Sequence, residues 1–393
     1  MKRRNLFKLV GIICLTVIIA IPFALGCAGE APPQAPSPAP APSPAPTPTP
    51  APTPTPVPAD EVLKWRMQNF TTSAGAPVLW ETLEMWGDDL NVMTQGMIEV
   101  ELYQSGEIAP FSEQMESVGK GILEASCSFT NQWAGKNSAF EMLGGYPFDC
   151  SNLELLMWYA SGDGQKYMDT LYTPYNVKSF ALNGNFLEVG GHADFEITSL
   201  DDMVGKSYRV GGGAPQDVLK KLGVNPFWCA VAEGYTTLDR GLVDILKMST
   251  ASANYNYGYQ EIAAYAFWPG WSKVGDCSGV FEMNLDNWNA LPDYAKRIIE
   301  VASRKASWSH LGRESWDSAE GFEKMVDYGV TMTKLETDTL QKMKAAAEEV
   351  LNEKADANPL YKEMWENRKA FVKNYQEMWA YAQMPYGDLG GSL

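Results

Sequence analysis

The stretch from Ala31 to Pro58 decides how much of this 393-residue chain can fold. Proline occupies almost every second position there, with alanine, serine and threonine between, so the segment lacks the amide donors and apolar surface that a core needs. Such a run favours polyproline II at about 3.1 Å per residue, and roughly 28 residues then reach on the order of 85 Å as a semi-rigid stalk. A tether over residues 27–59 is the expected role; a ligand for an aromatic-lined recognition domain is the alternative. The folded body is thereby confined to residues 60–393. About 335 residues exceed the usual size of one hydrophobic core and point to two lobes.

Ahead of the stalk, Lys2, Arg3, Arg4 and Lys8 precede an apolar run from Leu9 to Leu25, with the small residue Gly26 before Cys27. That is the layout of a secretory signal. The segment Ala24-Leu25-Gly26-Cys27 resembles a bacterial lipobox, in which the cysteine becomes the lipidated first residue of the mature chain. Residues 1–26 are therefore expected to be a lipoprotein signal peptide and Cys27 a lipid anchor, although Ala24 stands where leucine is more usual. An uncleaved transmembrane anchor is the alternative; the run is slightly short for one and Pro22 interrupts it. Either reading places the body outside the cytoplasm, held to the cell membrane on its periplasmic or outer face.

The leader holds four of the 31 basic residues and none of the 48 acidic ones, which takes the net charge from −17 for the whole chain to −21 for the remainder. Nucleic acid is excluded as a partner on that ground. An acidic surface is also a poor general attractor of anions, so an anionic ligand needs a specific local cation. Four cysteines remain in the body: Cys127, Cys150, Cys229 and Cys277. Pairing sequence neighbours, Cys127 with Cys150 and Cys229 with Cys277, is one expectation, and buried free thiols the other. No two of these cysteines are close in sequence and the chain has only two histidines, His192 and His310, which disfavours a zinc site.

The body reads as α/β. Val62 to Gln68 is an expected strand, Leu79 to Thr94 a helix stopped by Gly96, and Ile98 to Tyr103 a second strand. Helix Met115 to Leu123 and strand Ala125 to Thr130 continue a largely parallel lobe, lobe I, spanning about 60–185 plus parts of the C-terminal region. Val177 to Phe186 reads as a strand. A second series, strand Ser207 to Val210, turn Gly211 to Gly213, helix Pro215 to Leu222, strand Phe227 to Val231, helix Tyr235 to Arg240 and strand Val243 to Met248, forms lobe II over about 186–275. From Pro292 the chain is expected to be helical almost to its end, with Trp308, Trp316, Trp365 and Trp379 as packing residues.

The signatures of an enzyme are missing: no Gly-x-Ser-x-Gly elbow, no His-Glu-x-x-His and no phosphate loop ending in Gly-Lys-Ser/Thr. The glycines at 211–213 are either an anion cradle of backbone N–H groups or a tight turn required by packing. Arg209 ends a strand just before them, where ligands meet open α/β sheets. Its guanidinium suits a carboxylate, the alternative being a salt bridge inside the lobe.

The run from Asp201 to Arg209, its glycine turn and helix, and Lys221-Leu222-Gly223-Val224-Asn225-Pro226 resemble the solute-binding proteins of TRAP (tripartite ATP-independent periplasmic) transporters. Agreeing in order and spacing are Trp133 to Asn137 with Ala139-Phe140, Tyr146-Pro147-Phe148, Gly190-Gly191 with Glu196-Ile197, Glu233-Gly234-Tyr235, Thr237 to Gly241 with Asp244, and Trp268-Pro269-Gly270-Trp271. The likeness covers nearly all of Val62 to about Ser303, and the Pro-Gly-Trp and Gly-Lys-Asn pieces are most similar to the branch that binds 2-oxoacids and related monocarboxylates. The resemblance implies a two-lobed periplasmic-binding-protein-like fold with a ligand cleft between lobes and a helical C-terminal region. It implies that an arginine at the place of Arg209 bridges to the ligand carboxylate, and that lobe closure presents the ligand to a large and a small membrane subunit.

The chain departs from that branch at the ligand site. The branch has Gln-x-Gly-Gly-Trp where this chain has Glu188-Val189-Gly190-Gly191-His192, and Glu-Trp where it has Lys247-Met248. In the relatives the glutamine and glutamate help hold a metal ion that bridges to the substrate. Here one of those places has reversed its charge, and Glu188 with Lys247 conserves the net charge of the set with an ammonium in place of a monovalent ion. No metal or other cofactor is expected. Lys247 as a solvated strand-end lysine is the alternative. His192 either extends the cleft or is a satisfied histidine outside it. Trp133, Gln132, Phe267, Trp268 and Trp271 are further candidates for the cleft wall, each equally able to be packing. Two other functions remain open at this point: a sensory binding protein, and an extracytoplasmic enzyme with Lys247 as base or nucleophile.

Overall fold

A computed structural model describes residues 62–182, 188–272 and 279–382. The leader, the proline tract, Cys27 and Cys277 lie outside the described residues, and the described residues belong to one compact unit. Two sheets organise that unit. The first has the order β2-β1-β3-β10-β4, from Leu63–Asn69 (β1), Ile98–Tyr103 (β2), Ala125–Ser128 (β3), Val177–Leu182 (β4) and Gly279–Asn284 (β10). The second has the order β11-β9-β5-β8-β6-β7, from Gly191–Ala193 (β5), Ser207–Arg209 (β6), Asn225–Phe227 (β7), Ile245–Leu246 (β8), Tyr265–Trp268 (β9) and Thr331–Lys334 (β11). β1 lies parallel to both β2 and β3, and β6 parallel to β7 and β8. One antiparallel strand is inserted in each sheet, β10 between β3 and β4, and β5 between β8 and β9. This is the expected two-lobed α/β architecture.

Local chemistry accounts for the elements. Helix Pro77–Met93 opens on Pro77, whose missing N–H falls where a helix start leaves donors unbonded anyway, and it buries Leu79, Leu83, Trp86 and Leu90 against the first sheet. Trp86 stacks on Phe281 of β10 with ring centroids 4.7 Å apart. The chain leaves this helix through Gly96 at φ +86°, a conformation that favours glycine. Helix Asp293–Tyr328 runs for 36 residues, about 54 Å, long enough to pack on helix Pro77–Met93 and β4 of the first sheet and on helix Ala251–Asn256 of the second. Helices Thr337–Ala357 and Pro359–Ala382 complete the helical C-terminal region, packing on helices Ala214–Lys221 and Asn152–Ser161 respectively.

Several expectations need correction. The strand expected over Phe227 to Val231 is Asn225–Phe227, and 231–233 is a single helical turn. β7 is the edge strand, so Pro226 can pair with Tyr208 without withdrawing a donor from a further neighbour. The C-terminal region is interrupted by β11, which pairs parallel with β9. Trp365 is packed as expected, but Trp308, Trp316 and Trp379 are exposed. The long helix instead buries small residues, Ala295, Ala302, Ala306 and Gly321 among them, because it crosses close to other backbone; a Cβ on Gly321 would lie 2.5 Å from the backbone nitrogen of Ser252. Cys150 is a buried free thiol, so the Cys127–Cys150 disulfide is not formed, and the second suggested pair falls partly outside the described residues.

Candidate ligand-binding site

The strand order brings three residues from distant parts of the sequence to one point. β6 and β8 run parallel, so Arg209 at the carboxyl end of one lies beside Lys247 just past the end of the other, and the Lys247 N–H donates to the Arg209 carbonyl at 3.0 Å. β5 runs antiparallel to β8, which returns the residues before β5 to the same edge, where the Val189 N–H donates to the Ser249 carbonyl at 3.1 Å. Glycine permits that approach: a Cβ on Gly190 would lie 2.4 Å from the Phe267 ring, and one on Gly270 would lie 2.3 Å from the Glu188 carbonyl oxygen. The result is an ion pair between Lys247 Nζ and Glu188 Oε2, with both side chains about 95% buried.

Arg209 is 6% exposed and is aimed by two backbone carbonyls: Nη1 donates to Lys247 O and Nη2 to Cys229 O, each at 2.8 Å. Its Nε is buried without a hydrogen-bond partner, and among the described residues no carboxylate lies within ion-pair distance of it. A buried guanidinium with an unspent donor is a costly arrangement that a bound carboxylate would relieve. The cluster of Arg209, Lys247 and Glu188 carries one net positive charge in an otherwise acidic protein.

These three line a cavity of about 500 Å³, together with Met248 and, from the side of the first sheet, Gln132, Phe70 and Phe129. Gly211 and Gly212 also line it and have no atom within 4 Å of where a Cβ would sit. Gly213, at φ +84°, turns the chain into helix Ala214–Lys221. The anion at that helix start is Glu141, whose Oε2 accepts from Ala214 N at 3.3 Å; Lys354 then bridges Glu141 and Asp217 at 3.2 and 3.3 Å.

The other expected wall residues sit elsewhere. Trp133 is 1% exposed and donates its indole N–H to Glu282 Oε1 on β10 of the first sheet at 3.0 Å. Phe267 packs against Gly190 and Gly191, with its ring centroid 6.2 Å from that of Tyr208, and Trp271 is buried in the same large core cluster. Trp268 lies edge-on to Phe322 with centroids 6.0 Å apart. His192 is fully buried against Tyr259 and does not line the cavity; its Nε2 accepts from Asn254 Nδ2 at 3.0 Å while Asn254 Oδ1 accepts from Ser249 N. Residues the sequence did not suggest do line the cavity: Tyr257, and His310, Glu314 and Asp317 from the long helix.

The Asn254 amide can only donate to His192, so the imidazole is held neutral, and burial lowers its pKa from 6.5 to about 4. A base whose folded pKa is depressed contributes stability that is full above pH 6.5 and is lost as pH falls toward 4. At about 1.4 kcal/mol per unit, the loss approaches 3 kcal/mol. Urea unfolding of wild type and His192→Gln between pH 7 and 4 should therefore show a shallower acid decline for the variant. Parallel declines would remove His192 as the cause.

Whether the metal site of the relatives fits here is decided by Lys247. Its ammonium, a donor with no lone pair, occupies the Glu188 oxygen that a cation would need, and Arg209 adds a second positive charge beside it. The residues present do not suit a calcium or sodium ion at that place.

Comparison with known proteins agrees with this architecture. The chain is 25% identical over 317 residues, 77% of its own length and 86% of the relative, to a monocarboxylate 2-oxoacid-binding periplasmic protein of Nostoc sp.. Its fold matches a TRAP transporter solute-binding protein from Bordetella bronchiseptica holding calcium and picolinate, with TM-score 0.77 and 23% identity over 82% of this chain and 95% of that one. It equally matches one from Colwellia psychrerythraea with calcium and pyruvate, with TM-score 0.77 and 23% identity over 84% and 99%. The model of the bacterial extracellular solute-binding proteins, family 7, matches residues 69–358, and the chain belongs to that family.

Proposed function

We propose that this protein is the extracytoplasmic binding component of a TRAP-type transporter, which captures a small organic carboxylate on Arg209 and delivers it to membrane permease subunits. The observation that carries the carboxylate reading is the buried, carbonyl-aimed guanidinium of Arg209 facing a cavity between the two sheets with no carboxylate of the described chain to answer it. Ligand enters between the lobes, its carboxylate takes the unspent donors of Arg209, and closure of one lobe on the other excludes water and forms the surface the permease reads. Lys247 engages the Glu188 carboxylate that a cation there would need, so binding proceeds without a metal. A lipid on Cys27 and the stalk over residues 27–59 would hold the body to the membrane within reach of its permease. Among the described residues no helix is long and apolar enough to cross a membrane. Catalysis by Lys247 is not adopted, because its nitrogen is already engaged by Glu188.

Calorimetric titration with pyruvate, other 2-oxoacids and simple monocarboxylates tests the reading. Arg209→Ala removes a charge-assisted contact worth about 1.5–3 kcal/mol in total, so affinity should fall roughly tenfold to a hundredfold. Unchanged affinity would take Arg209 out of the site.

A further inference from the structure

The cavity is larger than a three-carbon acid requires. At about 30 Å³ for each water-sized group, 500 Å³ holds on the order of 15 non-hydrogen atoms. Its lining also carries groups of both signs. Arg209, Lys247 and Glu188 together carry one net positive charge. On the long helix His310, Glu314 and Asp317, spaced by four and three residues, share the face turned to the cavity.

Glu314 is 6% exposed, and its Oε1 accepts from Thr250 Oγ1 at 2.5 Å and Ser252 Oγ at 2.9 Å. Two neutral hydroxyls orient this carboxylate without neutralising it, and among the described residues no cation pairs with it. Its neighbours do not supply the charge. Asp317 is already answered by Arg313 at 3.2 Å, and His310, which faces Thr82 Oγ1 at 3.3 Å, is held toward the neutral form by burial despite the pull of Glu314. The same cavity is lined by Tyr257, Phe70, Phe129 and Met248, a wall suited to methylene groups. Tyr257 lies within the field of Glu314 and Tyr259 within that of Arg209, the two rings stacking with centroids 5.8 Å apart. The two unanswered charges therefore flank one aromatic pair.

We propose that the ligand is an amino carboxylate whose protonated amine is remote from its carboxylate, the carboxylate held by Arg209, the ammonium by Glu314, and the methylene span by the aromatic wall. This rests on the carboxylate reading above and narrows it. A dicarboxylate of the same length places its second charge against Glu314 and is rejected; a plain monocarboxylate leaves Glu314 buried and unanswered.

The test is calorimetric titration of the purified protein with 4-aminobutanoate, 6-aminohexanoate and 8-aminooctanoate, with the plain monocarboxylates of equal length, and with succinate, adipate and suberate. At one chain length the amino acid should bind roughly tenfold or more tighter than the plain acid, with the diacid weakest. Glu314→Gln keeps an oxygen for Thr250 and Ser252 and should bring the ratio of amino acid to plain acid close to one. The inference is overturned if a plain acid or a diacid binds as tightly as the matching amino acid at every length, or if Glu314→Gln leaves the ratio unchanged. Plain acids that bind through Arg209 with no gain from the amine sink this inference alone. If no compound in the three sets binds, or if Arg209→Ala weakens none of them, the carboxylate reading falls and this inference with it.

Discussion

Replacing Lys247 by methionine is expected to destabilise the protein by about 3–5 kcal/mol, the usual result of leaving one member of a buried ion pair behind. Glu188 would then be a carboxylate about 95% buried beside Arg209 but without the ammonium now in contact with its Oε2. The double variant Lys247→Met/Glu188→Met removes both charges and should recover most of that loss, because the attraction between the partners is offset by the water each gave up. Urea unfolding of the three variants at pH 7 separates these terms. A single variant that unfolds with wild-type stability would mean that the pair is solvated in solution. The exchange Glu188→Gln/Lys247→Glu has a different outcome. It installs an amide and a carboxylate, oxygen donors that suit a hard cation, so ligand binding should become dependent on calcium or sodium. Metal analysis of both proteins after chelation checks this, and stoichiometric metal that the parent requires for ligand binding would refute the replacement.

The pair was legible in the sequence because it is a matter of charge at two positions, and antiparallel insertion of β5 beside β8 then brings them together. The aromatic wall was not. Trp133, Phe267 and Trp271 are as large and apolar as wall residues must be, and the same properties place them in the core; which occurs depends on depth, which spacing along the chain does not encode. His192 was equally open, and what decides it is Asn254, a partner 62 residues away. Strand Ile98–Tyr103 could be read to its ends because Gly96 precedes it, whereas Pro226 hid the start of β7 because proline is tolerated only on an edge, and edge position belongs to the whole sheet. Glu314 left a signal that could have been followed. Along the long helix Ala302, Ala306, His310, Glu314 and Ser318 recur every four residues on a buried stripe otherwise made of small side chains. Two titratable groups on such a stripe need a cavity or a partner.

A second buried pair, away from the cavity, is expected to respond as strongly. Arg368 on the last helix is fully buried, with Nη1 2.8 Å from Asp149 Oδ2, Nη2 on the Met142 carbonyl, and its guanidinium 4.7 and 4.9 Å from the ring centroids of Trp158 and Tyr146. It thereby joins helix Pro359–Ala382 to the segment after helix Phe140–Gly144. Burial pushes the Asp149 carboxyl above its usual range against the pull of the arginine. Desolvation thus outweighs attraction at the carboxylate, and the intact pair adds little net stability compared with an apolar pair of equal volume. Breaking it is another matter. Arg368→Met strands Asp149, opens space between two aromatic rings and should cost about 3–5 kcal/mol, detaching the C-terminal helix first. Arg368→Met/Asp149→Leu should return to within about 1 kcal/mol of wild type or exceed it. Urea midpoints measure the cost, and hydrogen exchange over residues 359–382 locates it. A double variant as unstable as the single one would show that the pair itself, with its carbonyl and ring contacts, holds that helix in place.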